Sequence, residues 1–203
     1  MGKWEDLADE KTIERTAVAL KANGIEVFIV GSGEEAKKKV LGIIPKGSEV
    51  MTMSSMTLDT IGISNEINES GKFDPVSNKL MKMDRNTQGA EIRKLGAAPE
   101  WTIGSAHAVT EDGKVLIASA SGSQLPAYAY GAGKVVWVVG TQKIVRNLED
   151  GIKRIYEYVF PLEDARARKA YGMGSGVNKL LVVNKELAQG RITMILVKEK
   201  LGF

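Results

Sequence analysis

Val135-Val136-Trp137-Val138-Val139-Gly140-Thr141-Gln142-Lys143 decides how the chain is read. Five apolar residues in a row, four of them valine, favour a strand. They lack the polar alternation of a strand wetted on one face. Such a run belongs to a central strand covered on both sides, the situation of parallel sheets flanked by helices. Gly140 ends the run, and the polar Thr141, Gln142 and Lys143 follow at its carboxyl end. The neighbouring segments should then alternate between helix and strand.

Working outward, they do. Residues 25–30, 49–53, 180–183 and 192–197 read as further strands. Residues 9–22 and 34–41, a segment starting near Thr57, and residues 148–159 read as helices. In the last of these, Ile152, Ile155, Tyr156 and Val159 share one side, and Pro161 is expected to end it. Residues 101–110 and 115–120 are strand-like runs. Glu111-Asp112-Gly113 between them is a hairpin signal, because Gly accepts the positive φ of a tight turn. Residues 64–95 are only weakly periodic. The alternation predicts a three-layer α/β fold with a mainly parallel central sheet and an antiparallel hairpin element, in one domain over residues 1–203.

Composition excludes several functions. The chain has 203 residues, no Cys and one His, so it cannot hold a thiolate zinc site, an iron–sulfur cluster or a multi-His metal site, and it has no Cys nucleophile. No resident cofactor or metal is expected. The formal charge is +3, the basic residues are scattered and aromatics make up 6%, which argues against nucleic-acid binding. No run of ~18 apolar residues is present, so no membrane partner is expected. The first residues lack a signal-peptide core, which makes the cytoplasm the expected location.

Ligands of open α/β sheets bind beyond the carboxyl ends of the strands. Several loops qualify. Gly31-Ser32-Gly33 is followed by two acids and reads as a tight turn rather than a dinucleotide loop. Ser54, Ser55 and Thr57 cluster between a strand and a helix, where they could cap the helix or hold a phosphate or carboxylate. Gly104 and Ser105 precede His107, the only imidazole of the chain. Gly122, Ser123 and Gln124 follow the second strand of the hairpin. Gly140, Thr141, Gln142 and Lys143 follow the central strand, where Lys143 could meet a substrate anion. Residues 172–179 are glycine-rich but lack the Walker pattern. Candidate catalytic groups are Lys143, for stabilising negative charge, and His107 or Glu111, for moving a proton. Each also has a structural reading: Glu111 as an exposed turn acid, His107 as a satisfied strand residue and Lys143 as a solvated cation.

Taken in order, these residues resemble a known family. Residues 104–115, Gly-Ser-Ala-His-Ala-Val-Thr-Glu-Asp-Gly-Lys-Val, are similar to the central motif of the LUD (lactate-utilisation) domain, of the lactate-utilisation protein C-like type. Val138-Val139-Gly140-Thr141-Gln142-Lys143-Ile144-Val145 resembles its strand–Gly-x-(Asn/Gln)-Lys-Ile-Val motif. Residues 54–58 with Ile61-Gly62 are similar to its Ser-rich loop and following helix. Arg154, Pro161 and Arg166 fall at matching positions. Ser123-Gln124 stands where many members carry Asn-Arg, which removes a fixed positive charge.

The resemblance implies the fold of ribose-5-phosphate isomerases and CoA transferases. The Asp-Gly-Ala-Asp and Lys-Gly-Gly motifs of the isomerase and the transferase nucleophile motif are not found here. It also implies a part in L-lactate or organic-acid utilisation alongside iron–sulfur oxidoreductase proteins, with this Cys-free chain as the cluster-free component. Its ligand would be a small anionic metabolite, and self-association into a homo-oligomer is compatible with this role. Two alternatives are a free-standing isomerase or transferase acting on a phosphorylated sugar or acyl-CoA, and a metabolite sensor.

Overall fold

The computed structural model describes residues 4–203. Its first half runs α1 (Glu10–Ala22), β1 (Glu26–Val30), α2 (Gly33–Ile43), β2 (Glu49–Thr52), α3 (Met56–Thr60), α4 (Ile63–Glu69), β3 (Asp74–Pro75), α5 (Val76–Met81) and α6 (Gly89–Ala97). The second half runs β4 (Trp101–Gly104), β5 (Ala108–Thr110), β6 (Val115–Ser119), β7 (Lys134–Gly140), β8 (Ile144–Val145), α7 (Leu148–Arg154), α8 (Phe160–Tyr171), β9 (Lys179–Val183) and β10 (Ile192–Val197).

The main sheet has six parallel strands in the order β1-β10-β7-β4-β2-β3. β7 lies inside it, between β10 and β4, as its unbroken apolar run requires. Its side chains alternate between two cores. Val135, Trp137 and Val139 face a cluster with Ile13 and Leu20 of α1. Val136 and Val138 face Ala36 and Val40 of α2, Leu58 of α3 and Ile63 of α4. Helices therefore cover both faces, and the expected α/β class is the one observed.

The hairpin element belongs to a second, mixed sheet of order β8-β5-β6-β9. Val109 and Ile117 of this sheet join the Trp137 cluster, while Leu116 and Ala118 pack with Ile155 on the far side. The second sheet is thus sandwiched between the main sheet and the long C-terminal helical segment.

Two sequence expectations need correction. Residues 101–110 are not one strand. β4 joins the main sheet and β5 the second, and Ser105-Ala106-His107 crosses between them. Nor does Pro161 end a helix. α7 continues through a π-helical turn, Ile155–Val159, directly into α8. In that turn the Phe160 N–H reaches back to the Ile155 carbonyl, so the absent N–H of Pro161 falls in the first turn after a register change. The wider turn also breaks the helical spacing. Ile155 and Val159 stay buried while Tyr156 is half exposed.

Candidate functional site

Three main-sheet strands and one strand of the second sheet end around a common cavity of about 710 Å³. The loop after β2 supplies Ser54 and Ser55, and α3 supplies Thr57. The crossing from β4 to β5 supplies Ser105 and His107. The loop after β6 supplies Ser123 and Gln124, and the 3-10 turn Thr141–Lys143 after β7 supplies Lys143. Apolar walls come from Met51, Met53, Leu80, Ile155, Val159 and Phe160. A volume of this size suits a ligand of several hundred Å³.

Lys143 is the centre of the site. The 3-10 turn aims it inward, and its side chain is only 2% exposed. Nζ donates to Thr57 Oγ1 at 3.0 Å and to Ser105 Oγ at 3.1 Å. Both hydroxyls spend their own protons elsewhere. Thr57 donates to the Leu201 carbonyl at 3.1 Å and Ser105 to the Ala106 carbonyl at 3.3 Å. Their lone pairs are thereby turned toward the amine. No carboxylate among the described residues forms an ion pair with Lys143. Burial, helped by the nearby Arg154 guanidinium, pulls its pKa down to about 7.

Arg154 is a second buried cation. It lies in α7 with its side chain fully covered, donates from Nη1 to the His107 carbonyl and sits 5.2 Å from the Tyr158 ring centre. Burial lowers its pKa to about 10. The His107 ring lines the cavity, and its Nδ1 accepts the Ala118 N–H at 3.1 Å. Burial first, then Lys143 and Arg154, push its pKa down to about 3, so the ring is neutral at physiological pH. Two carboxylates also line the cavity, but Glu163 pairs with Arg166 and Asp59 accepts from Ser64, so the protonated Lys143 amine, without such a partner, favours an anionic occupant.

The remaining sequence candidates separate into groups. Ser55 caps α3 through a long contact of 3.5 Å to the Leu58 N–H, while Ser54 is exposed at the cavity mouth. Gly104 does not line the cavity. A Cβ there would lie 1.7 Å from the Tyr128 hydroxyl, so Gly permits Tyr128, which itself lines the cavity, to pack against β4. Gly140 plays a similar part, because a Cβ would meet the Glu199 carbonyl at 2.6 Å. Thr141 is buried beneath the site, and Gln142 donates to the Leu201 carbonyl at 3.0 Å. That bond holds the segment that also binds Thr57. Gly122 shapes its loop with φ of +85°, and its N–H donates to Ser119 Oγ at 2.8 Å.

Glu111 lies away from the cavity, on the β5–β6 hairpin, where it pairs with Arg15. Ser119 opens the loop that carries Gly122 to Gln124, and Arg154 is one of the positions matched in the family resemblance, but the sequence assigns neither a role in the site. The signal available for Arg154 was its place among those matched positions. Among the described residues no group of three or more His, Asp or Glu is placed to hold a metal ion, and no helix is long and apolar enough to cross a membrane.

Fold and cavity together define an α/β domain that presents the buried amine of Lys143 to a ligand-sized space at its strand ends. The LUD domain family model matches residues 13–198, and the chain belongs to that family. A DUF162 family protein from Deinococcus radiodurans, known from a crystal structure at 1.70 Å resolution, has a similar fold. Its TM-score is 0.58 at 10% identity, over 95% of this chain and 99% of that one. A weaker likeness, TM-score 0.32 at 17% identity over 70% of this chain and 42% of that one, is to eIF2B beta from Chaetomium thermophilum. No curated protein matches the chain in sequence.

Proposed function

We propose that the cavity binds a small organic anion, with its anionic group at Lys143. On this reading the protein is the cluster-free component of an L-lactate or other organic-acid utilisation system. The observation that carries the anion reading is Lys143 itself: a buried amine with two hydroxyl acceptors, no carboxylate partner and a cavity in front of it. A buried charge without a counter-ion is costly. An anionic ligand offsets part of that cost, and this contributes to its affinity after its own desolvation is met. Membership of the LUD family supports the organic-acid context. Because the chain has no Cys, iron–sulfur electron transfer would belong to partner oxidoreductases. The site residues are Lys143, Thr57, Ser105 and His107, with Ser54, Ser123 and Gln124 at the mouth.

A thermal-shift panel of lactate, pyruvate, glycolate, sugar phosphates and acyl-CoAs tests this on the wild type and on Lys143→Met. A ligand at 100 times its Kd stabilises the fold by about 2.7 kcal/mol. At least one anion should stabilise the wild type and lose that effect in the variant. Equal responses of the two proteins across the panel would refute the reading.

One observation favours a second reading, a free-standing isomerase or transferase. An amine with a pKa of about 7 can both accept and return a proton at physiological pH. Lys143→Arg separates the two, since a guanidinium keeps the charge and holds its proton. A pure binding site keeps its ligand in that variant, whereas proton transfer stops.

A further inference from the structure

His107 is fixed at three points. Its backbone N–H donates to the Leu116 carbonyl at 3.0 Å, its carbonyl accepts from Arg154, and its ring Nδ1 accepts from the Ala118 N–H at 3.1 Å. A ring nitrogen that accepts a hydrogen bond carries no proton. In a neutral imidazole the proton then resides on the other nitrogen, Nε2. Nε2 makes no hydrogen bond to any described residue, and the ring is part of the cavity wall. The charged groups acting on the ring are Lys143 and Arg154, both cations, and both oppose a second proton on it. The two main-chain contacts fix the backbone of His107, and the Ala118 N–H on Nδ1 holds the ring in its orientation. Ser105, two residues earlier on the same crossing segment, holds Lys143. The cation and the imidazole donor therefore serve one cavity.

We infer that His107 is a neutral hydrogen-bond donor of fixed orientation, which selects ligands carrying an uncharged acceptor oxygen as well as the anionic group held at Lys143. The ligand class is then the oxo acids, whose carbonyl oxygen only accepts. A ligand presenting an ammonium or amide N–H at that point would face a donor with a donor. This inference rests on the anion reading for the role of Lys143, while the ring tautomer stands independently of it. The cavity of about 710 Å³ leaves room for acids longer than three carbons, so the spacing of the two groups is to be found by trial.

Two experiments test it. The chain has one His, so a ¹⁵N-labelled sample gives a single pair of ring nitrogens in long-range ¹H–¹⁵N correlation spectra. The expected pattern is a protonated Nε2 and an unprotonated Nδ1, unchanged from pH 8 to pH 5. A proton on Nδ1, or a titration near pH 6.5, would overturn the inference whatever the ligand proves to be. The second experiment measures calorimetric affinities of pyruvate, acetoacetate and levulinate against propionate, butyrate and pentanoate. At least one oxo acid should bind roughly three- to tenfold more tightly than its plain counterpart. The preference should vanish in His107→Leu and survive in His107→Gln, whose amide can accept from Ala118 and donate to the cavity. Lys143-dependent binding of both series without preference would overturn the role of His107 and leave the anion site intact. Binding of neither series, or binding indifferent to Lys143→Met, would overturn both for this ligand class.

Discussion

Replacing Lys143 by Met should stabilise the folded chain, and the gain should depend on pH in a defined direction. The lysine titrates near 10.5 when solvated and at about 7 in the fold. Above pH 10.5 it is neutral in both states and costs the fold nothing. Between pH 10.5 and 7 the unfolded chain binds the proton and the folded chain does not, so wild-type stability falls as pH falls. The slope approaches 1.4 kcal/mol per pH unit, roughly the energy equivalent of one pKa unit. Below pH 7 both states are charged and the full cost, on the order of 5 kcal/mol, is in place. Methionine fills similar space without a charge. The Thr57 and Ser105 hydroxyls keep their carbonyl acceptors after the change.

The stability gap between Lys143→Met and wild type should therefore be largest at pH 6. About half of it should be gone by pH 9. Groups that do not interact with Lys143, the tyrosines among them, cancel in the difference. Urea unfolding at pH 6, 7.5 and 9, with slopes checked for equality, gives the gap directly. A gap that stays constant with pH would show that Lys143 keeps its ordinary pKa in the fold. The argument for a charge awaiting an anion would then fail. So would a variant less stable than wild type at pH 6.

Other outcomes follow from the same geometry. Anion affinity should fall above pH 7 as the Lys143 ammonium is lost, for a ligand whose own ionisation does not change there; calorimetry at pH 6 and pH 9 with a bound carboxylate checks this. Gly104→Ala should destabilise the fold by about 1–3 kcal/mol, because the new Cβ falls 1.7 Å from the Tyr128 hydroxyl. A denaturation midpoint equal to that of wild type would contradict the packing. Glu111→Gln should leave ligand binding unchanged and shift stability by less than about 1 kcal/mol, since its pair with Arg15 is surface-exposed. Any loss of affinity would return Glu111 to the site.

The frame of the fold was legible because burial on two faces leaves a direct mark on sequence. Val135 to Val139 show it, and Ile192 to Val197, buried throughout, show it as well. The split of residues 101–110 left no such mark. All three residues of β5 and the last three of β4 are buried, so the apolar pattern runs on while the backbone changes sheets. Pro161 misled for a related reason. Its usual meaning assumes α-helical register, and the π-turn before it removes the conflict. The family resemblance reached the same fold by another route, through the order of short motifs rather than their periodicity.

The site was legible only in part. Lys143, Ser105 and Thr57 could be nominated separately, each at the carboxyl end of a strand or just after one. Nothing in their spacing says that they touch, because 86 positions separate Thr57 from Lys143 and 38 separate Ser105 from it. The parallel order β2-β4-β7 brings them together. Arg154 could be noted as a matched position but not given a role, because that role depends on the second sheet. It reaches the His107 carbonyl only because β5 leaves the main sheet at that point and carries the crossing segment toward α7. The electrostatics of the cavity thus follow from the same departure that the apolar pattern concealed. If β4 ran on straight through residue 110, Lys143 would still sit at the end of β7. The neutral donor of His107 and the second cation would then have no place beside it.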